Sequence, residues 1–159
     1  MADLRQLLAG LGYTEVATLL QSGNAVFTSP GAEPAELAGA IEQAISAELG
    51  LSVRCLVRTR DELHAVIAGN PLGDVATNGS RMMALFLSDA PEKKLLAAHD
   101  PTTLAPGEIR LGDRVIYQWC PDGVLAAPAA SAFVEKHLKV AVTARNWNTV
   151  TKLGALLSA

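Results

Sequence analysis

The order of apolar patterns predicts an α+β fold built from two ferredoxin-like (split βαβ) halves, the first missing its opening strand. Three observations carry this reading. Periodicity reads α-β-β-α-β over the first 58 residues and β-α-β-β-α-β from residue 81 onward. A Gly-led pair, Gly23-Asn24 and then Gly112-Asp113, separates two strand-like runs in each half, and such pairs accept the positive φ of tight hairpin turns. Residues 82–87 are all apolar, as expected of a strand buried on both faces of a sheet. The halves are placed at residues 1–72 and 81–159, with 73–80 as the joint.

Taken in order, Leu4, Leu7, Leu8 and Leu11 form one helical stripe that Gly12 stops. The hairpin follows, and a turn closed at Gly23-Asn24 sets Ser22 opposite Ala25, Leu20 opposite Phe27 and Thr18 opposite Ser29. Pro34 opens a helix carrying Leu37, Ile41, Ile45 and Leu49, and Gly50 ends it. Residues 52–58 alternate Val53, Cys55 and Val57 with Arg54, Leu56 and Arg58, the pattern of a strand with one face in the core. Thr59 and Glu62 have the spacing of a capping box at the start of a short helix that buries Leu63, Val66 and Ile67.

The second half continues from the apolar strand. Pro91 starts a helix through His99, and a proline-punctuated loop leads to the second hairpin, where Ile109 is expected opposite Ile116. Ser131 is the expected cap of a helix with Phe133, Val134, His137 and Leu138, and residues 140–142 are expected to close the sheet. Because the two hairpins look alike, residues 15–58 and 108–142 are expected to superpose. In the last helix Trp147, Val150, Leu153 and Leu157 share a stripe, with Asn146 as its cap.

Composition narrows function. Thirteen basic against sixteen acidic residues leave a net charge of −3, which supplies no general attraction to nucleic acid or an anionic membrane. Arg54, Arg58 and Arg60 form a basic edge without the aromatic platforms that single-stranded RNA needs. No apolar run approaches the roughly 18 residues of a membrane span, and the start lacks a leader pattern, so the chain reads as cytoplasmic. Cys55 and Cys120 have no metal or disulfide spacing, and His64, His99 and His137 form no ligand motif, so no metal and no cofactor are expected.

Three segments, LLAGLGYTEVATLLQSGNAVF near the start, Asn70-Pro71, and TARNWNTVTKL near the end, resemble the uncharacterised bacterial family catalogued as domain of unknown function 1697. The resemblance spans nearly the whole chain. It implies paired ferredoxin-like halves and no particular activity. Members open with a strand and an Arg-Gly-Ile-Asn-like loop that this sequence lacks. In a βαββαβ unit that strand lies between the third and the fourth, so residues 25–29 and 53–57 are expected to flank a gap. Met1 is expected to be an internal methionine with about 20 residues before it, one strand and a loop; the alternative is a strand donated by a partner.

Candidate site residues are Gln21, Ser22 and Asn24 at the first hairpin and Arg145, Asn146 and Asn148 at the start of the last helix. Asn146 is explained by capping. Arg145 is not, because a cation beside the positive end of a helix is unfavourable unless an anion or carboxylate offsets it. Ser22 lies in no G-x-S-x-G elbow, and no catalytic residue is assigned. The expectation is a small-molecule or anion-binding module with a polar cleft near these residues. The alternative is an interaction or oligomerising module that uses sheet edges, and nucleic-acid binding comes third.

Overall fold

Strand β3 (Met82–Leu87) bonds to a neighbour on each side, the central place expected of a strand with no polar residue. The structure is a computed structural model describing residues 2–19 and 23–158, so that Met1, Leu20, Gln21, Ser22 and Ala159 lie outside the described residues. The fold is α+β. The chain divides into two compact units, one drawn from residues 1–60 and 153–159 and the other from residues 61–152.

The second unit holds a four-stranded antiparallel sheet. After β3 come α4 (Lys93–Ala98), β4 (Ile109–Gly112), β5 (Val115–Trp119), α5 (Ala130–Phe133) with a π-helical turn (Val134–Leu138), and β6 (Val142–Asn146). The strand order is β4-β5-β3-β6. One face buries Leu85, Leu87, Ile109 and Ile116 against Ala130, Val134 and Leu138, with Leu95 and Leu96 packed alongside. Strand residues of the other parity, Ala84 and Tyr117, pair on the opposite face, where the Tyr117 hydroxyl bonds to Val66 of α3 (Arg60–Ala68).

The first unit holds α1 (Ala2–Gly10), the antiparallel pair β1 (Thr14–Leu19) and β2 (Asn24–Thr28), and α2 (Pro34–Leu49). Pro34 stands in the first turn of α2 and Gly50 ends it in the left-handed region at φ 66°, as the sequence predicts. Leu7, Leu8, Ile41 and Ile45 form the core, against which Ala25, Phe27, Cys55 and Val57 pack. The final helix, α6 (Trp147–Ser158), begins in the second unit and has its residues from Leu153 onward in the first.

Several expectations are corrected. In the first hairpin Leu19 pairs with Asn24 and Thr18 with Ala25, not Thr18 with Ser29. Its ladder pairing with Leu19 makes Asn24 the first residue of a strand instead of the second of a turn, and its side-chain Nδ2 also donates to the Leu19 carbonyl at 3.3 Å. The other expected pairs involve Ser22 and Leu20, outside the described residues. In the second hairpin Gly112 is opposite Val115 and Leu111, not Ile109, is opposite Ile116, so the two-residue connection is Asp113-Arg114. Gly112 is required by packing: a Cβ there would stand 2.8 Å from Val115 Cγ1 and 2.9 Å from Tyr117 Cε2. Gly23, at φ +81° within its connection, does a different task, so the expected superposition through equivalent glycines fails.

Residues 52–58 form no ladder. The alternating pattern correctly turns Cys55 and Val57 to the core, but a strand also needs a bonded neighbour, and the Cys55 N–H goes to Glu42 Oε1 at 2.7 Å. Ser131 does not cap its helix; α5 starts two residues earlier than such a cap would place it, with Ala129 at the cap position and no side-chain bond, and the Ala130 N–H donates to the Pro128 carbonyl at 2.9 Å. The closing strand begins at Val142, after Lys139 leaves the π turn in the left-handed region and the Ala141 N–H reaches Ser88 Oγ at 3.0 Å. Glu62 forms an ion pair with Arg114.

Candidate functional site

The junction of β6 and α6 collects Arg145, Asn146 and Asn148. Asn146 Oδ1 accepts the Thr149 N–H at 3.0 Å, a helix cap. Arg145 is the strand residue before it, opposite Ala84, with Nη1 donating to the Ala144 carbonyl at 2.8 Å. Half-burial pulls its guanidinium below its ordinary pKa, because the charged form loses hydration. Asn148 lies over the preceding loop: the Trp147 N–H donates to the Gly79 carbonyl at 3.0 Å, and a Cβ on Gly79 would meet Asn148 Oδ1 at 2.1 Å. Asn78 Oδ1 holds that loop by accepting from the Ser80 N–H and hydroxyl at 2.9 and 2.6 Å. Asn146 therefore works for the fold, and Asn148 packs against the loop. Asn24 is buried and starts β2 in the first unit. Gln21 and Ser22 lie outside the described residues.

A concavity that the sequence did not signal lies in the second unit. It measures about 600 Å³ and is lined by Pro71, Thr102, Thr103, Pro106, Gly107, Ile109, Arg110 and Leu111. Asp100 organises one wall: its Oδ1 accepts the Thr102 N–H at 3.0 Å and the Thr102 hydroxyl at 2.7 Å, while the Thr103 hydroxyl donates to the Asp100 carbonyl at 2.7 Å. Both threonine protons are thereby spent internally, and their oxygens keep lone pairs for an incoming donor. Asn70 Oδ1 holds the other wall by accepting the Leu72 N–H at 2.9 Å around Pro71. Arg110 is exposed and makes no side-chain hydrogen bond or ion pair among the described residues. The one trace in the sequence is Asp100-Pro101-Thr102-Thr103, an Asp-capped 3₁₀ turn (Pro101–Leu104), which is a folding signal and not a ligand signal.

Residues 1–117 match the family model described as Protein of unknown function (DUF1697). The chain belongs to the DUF1697 family. Among solved structures this DUF1697 protein is similar to the conserved bacterial protein SP0830 from Streptococcus pneumoniae, with 20% identity and a TM-score of 0.65 over 99% of this chain and 88% of that one. At that identity the likeness concerns fold alone. No curated protein matches the chain. Among the described residues of the DUF1697 protein no group of three His, Cys, Asp or Glu side chains could hold a metal ion, and no helix is long and apolar enough to cross a membrane.

Proposed function

We propose that this DUF1697 protein is a binding module for an anionic ligand seated in the concavity beside β4. The observation that carries the reading is Arg110, an exposed cation with no ion pair among the described residues, at the wall of a concavity of about 600 Å³, within the size range of small-ligand sites. Thr102 and Thr103 offer hydroxyl oxygens beside it. The lining residues include no carboxylate, imidazole, thiol or amine, so binding is favoured over acid, base or nucleophilic chemistry there.

A thermal-shift screen with mono-, di- and tricarboxylates and phosphorylated metabolites tests the reading. A ligand present at about 100 times its dissociation constant adds roughly 2.7 kcal/mol of stability. Arg110→Ala should abolish that shift and leave the unliganded melting temperature unchanged, because the side chain is exposed and touches no charge. An unresponsive screen, or a shift that survives the substitution, would sink it.

A second anion position is proposed at Arg145, favoured by a partly buried cation one residue before a helix cap; Arg145→Ala is its separate test in the same screen. The finer fold reading is also a proposal. The element order β3-α4-β4-β5-α5-β6 with β3 inside the sheet supports a ferredoxin-like half over residues 81–159, and α1-β1-β2-α2 supports an incomplete one over 1–72.

A further inference from the structure

The floor of the concavity is the open edge of a strand. β4 is an outer member of its sheet, bonded to β5 alone. A two-residue connection joins them, with Gly112 opposite Val115, Leu111 opposite Ile116, Arg110 opposite Tyr117 and Ile109 opposite Gln118. In an antiparallel ladder closed by such a turn, the pair beside the turn exchanges hydrogen bonds, and bonded and non-bonded pairs alternate from there. Gly112 and Arg110 thus aim their N–H and C=O groups at β5. The Trp119 N–H donating to the Glu108 carbonyl at 2.8 Å continues the same alternation. Ile109 and Leu111 aim theirs the opposite way, off the edge of the sheet.

The Ile109 N–H is taken by the Ala105 carbonyl at 3.1 Å. Ile109 is 1% exposed, so its C=O is covered by the chain around it, and two groups remain open at the edge: the Leu111 N–H and the Leu111 C=O. Both residues line the concavity, and Leu111 is 40% exposed. Around this edge rise Pro71, which follows α3, and Thr102, Thr103 and Pro106 on the 3₁₀ side. The shape is a trough along a strand edge, with a cation on its wall. The Leu111 N–H and C=O match the C=O and N–H that one residue of an antiparallel added strand exchanges with it.

We propose that the trough takes an extended segment of another protein, laid along β4 as a fifth strand, with an acidic side chain of that segment on Arg110. The proposal rests on the anion reading above and names the carrier of the anion. A rounded metabolite would meet Arg110 but leave the strand groups unused, whereas an extended peptide backbone uses both. Because Ile109 is buried with its N–H on Ala105 and Gly112 turns inward, the pairing centres on Leu111 alone, and the complex is a weak, reversible one.

Fluorescence anisotropy with the full chain tests this. The probes are a fluorescein-labelled hexapeptide of alternating valine and glutamate, and two versions of it N-methylated either at every valine amide or at every glutamate amide. The unmodified peptide should bind, one methylated version should lose at least tenfold in affinity, and the other should keep it, because only one edge of the peptide faces β4. Arg110→Ala should weaken binding roughly twofold to fivefold, as for an exposed ion pair. Equal binding by both methylated peptides, whether kept or lost, overturns strand addition. If no peptide binds while a small carboxylate still gives an Arg110-dependent thermal shift, the peptide inference falls and the anion reading stands; if neither binds, both fall.

Discussion

The Tyr117 hydroxyl donates to the Val66 carbonyl at 2.7 Å, and that bond completes the end of a helix. The Gly69 N–H goes to Ala65 and the Asn70 N–H to Ile67, so the Val66 carbonyl is passed over by the last turn of α3. Helix ends leave such carbonyls to be satisfied from elsewhere, and here a phenol from the middle of the sheet does it. The same contact fixes α3 on the face of β3 and β5 that carries Ala84 and Tyr117.

Tyr117→Phe should therefore cost about 1–3 kcal/mol, the penalty for a buried acceptor left without a donor, although the ring packing is kept. Urea denaturation checks it: the midpoint should fall with an unchanged slope. A loss below about 0.5 kcal/mol would mean that water replaces the phenol. Burial also pushes the Tyr117 phenol above its ordinary pKa of 10.0. Its neutral form is favoured in the fold, so this contribution is lost as pH rises beyond that value.

Gly112→Ala should destabilise by about 1–3 kcal/mol through overpacking, since the new methyl would press on Val115 and Tyr117 at under 3 Å. Gly73→Ala is the control, for nothing lies within 4 Å of a Cβ there and its φ is not positive. Equal melting temperatures for the two variants would show that the second hairpin yields to the added methyl.

What was legible in the sequence was whatever a local pattern suffices to impose. Pro34 and Gly50 bracket α2 by their own backbone constraints, and six apolar residues in a row could only place β3 between two neighbours. Hairpin register was not local. The Gly-Asn and Gly-Asp pairs announce turns, but Asn24 belongs to a strand through its ladder pairing with Leu19, and Gly112 answers to the Tyr117 ring from the next strand. Arg145 and Asn146 were singled out together, and the structure divides them: Asn146 is a cap, while Arg145 is a half-buried strand residue. The concavity had no sequence signature, because Pro71, Thr102 and Arg110 are each unremarkable and only the sheet edge assembles them.

His99 and His137 stack with ring centroids 4.4 Å apart, and Phe133 tilts onto His137 at 4.7 Å. The His137 imidazole is held below its ordinary pKa of 6.5, first by partial burial and then by His99, Lys136 and Lys139. A base with a depressed folded pKa binds fewer protons in the fold than in the unfolded chain, so stability is lost as pH falls from about 6.5 toward the folded value. Urea midpoints between pH 8 and pH 5 should drop in the wild type and drop less in His137→Gln. Parallel curves for the two proteins would remove His137 as the cause.

The last prediction concerns residues 51–59, which run without a ladder and are held by Glu42. Its Oε1 accepts the Cys55 N–H at 2.7 Å and lies 3.8 Å from Arg54 Nε. Burial first, and the Glu42 charge second, push the Cys55 thiol up to about 11 from an ordinary 9.0. Since the thiolate is the reactive species, iodoacetamide at pH 8 should label Cys55 about a hundredfold more slowly than an ordinary thiol. Removing the carboxylate in Glu42→Ala takes away a repulsive charge and the bond that the Cys55 N–H makes to α2. Both changes act in one direction, and labelling should accelerate at least tenfold. Glu42→Gln separates them, because its amide oxygen can still accept the N–H while the charge is gone: a rate near that of Glu42→Ala assigns the protection to charge, and a rate near the wild type assigns it to the tether. If all three proteins label Cys55 at the rate of a free thiol, the segment is open in solution and Glu42 does not hold it.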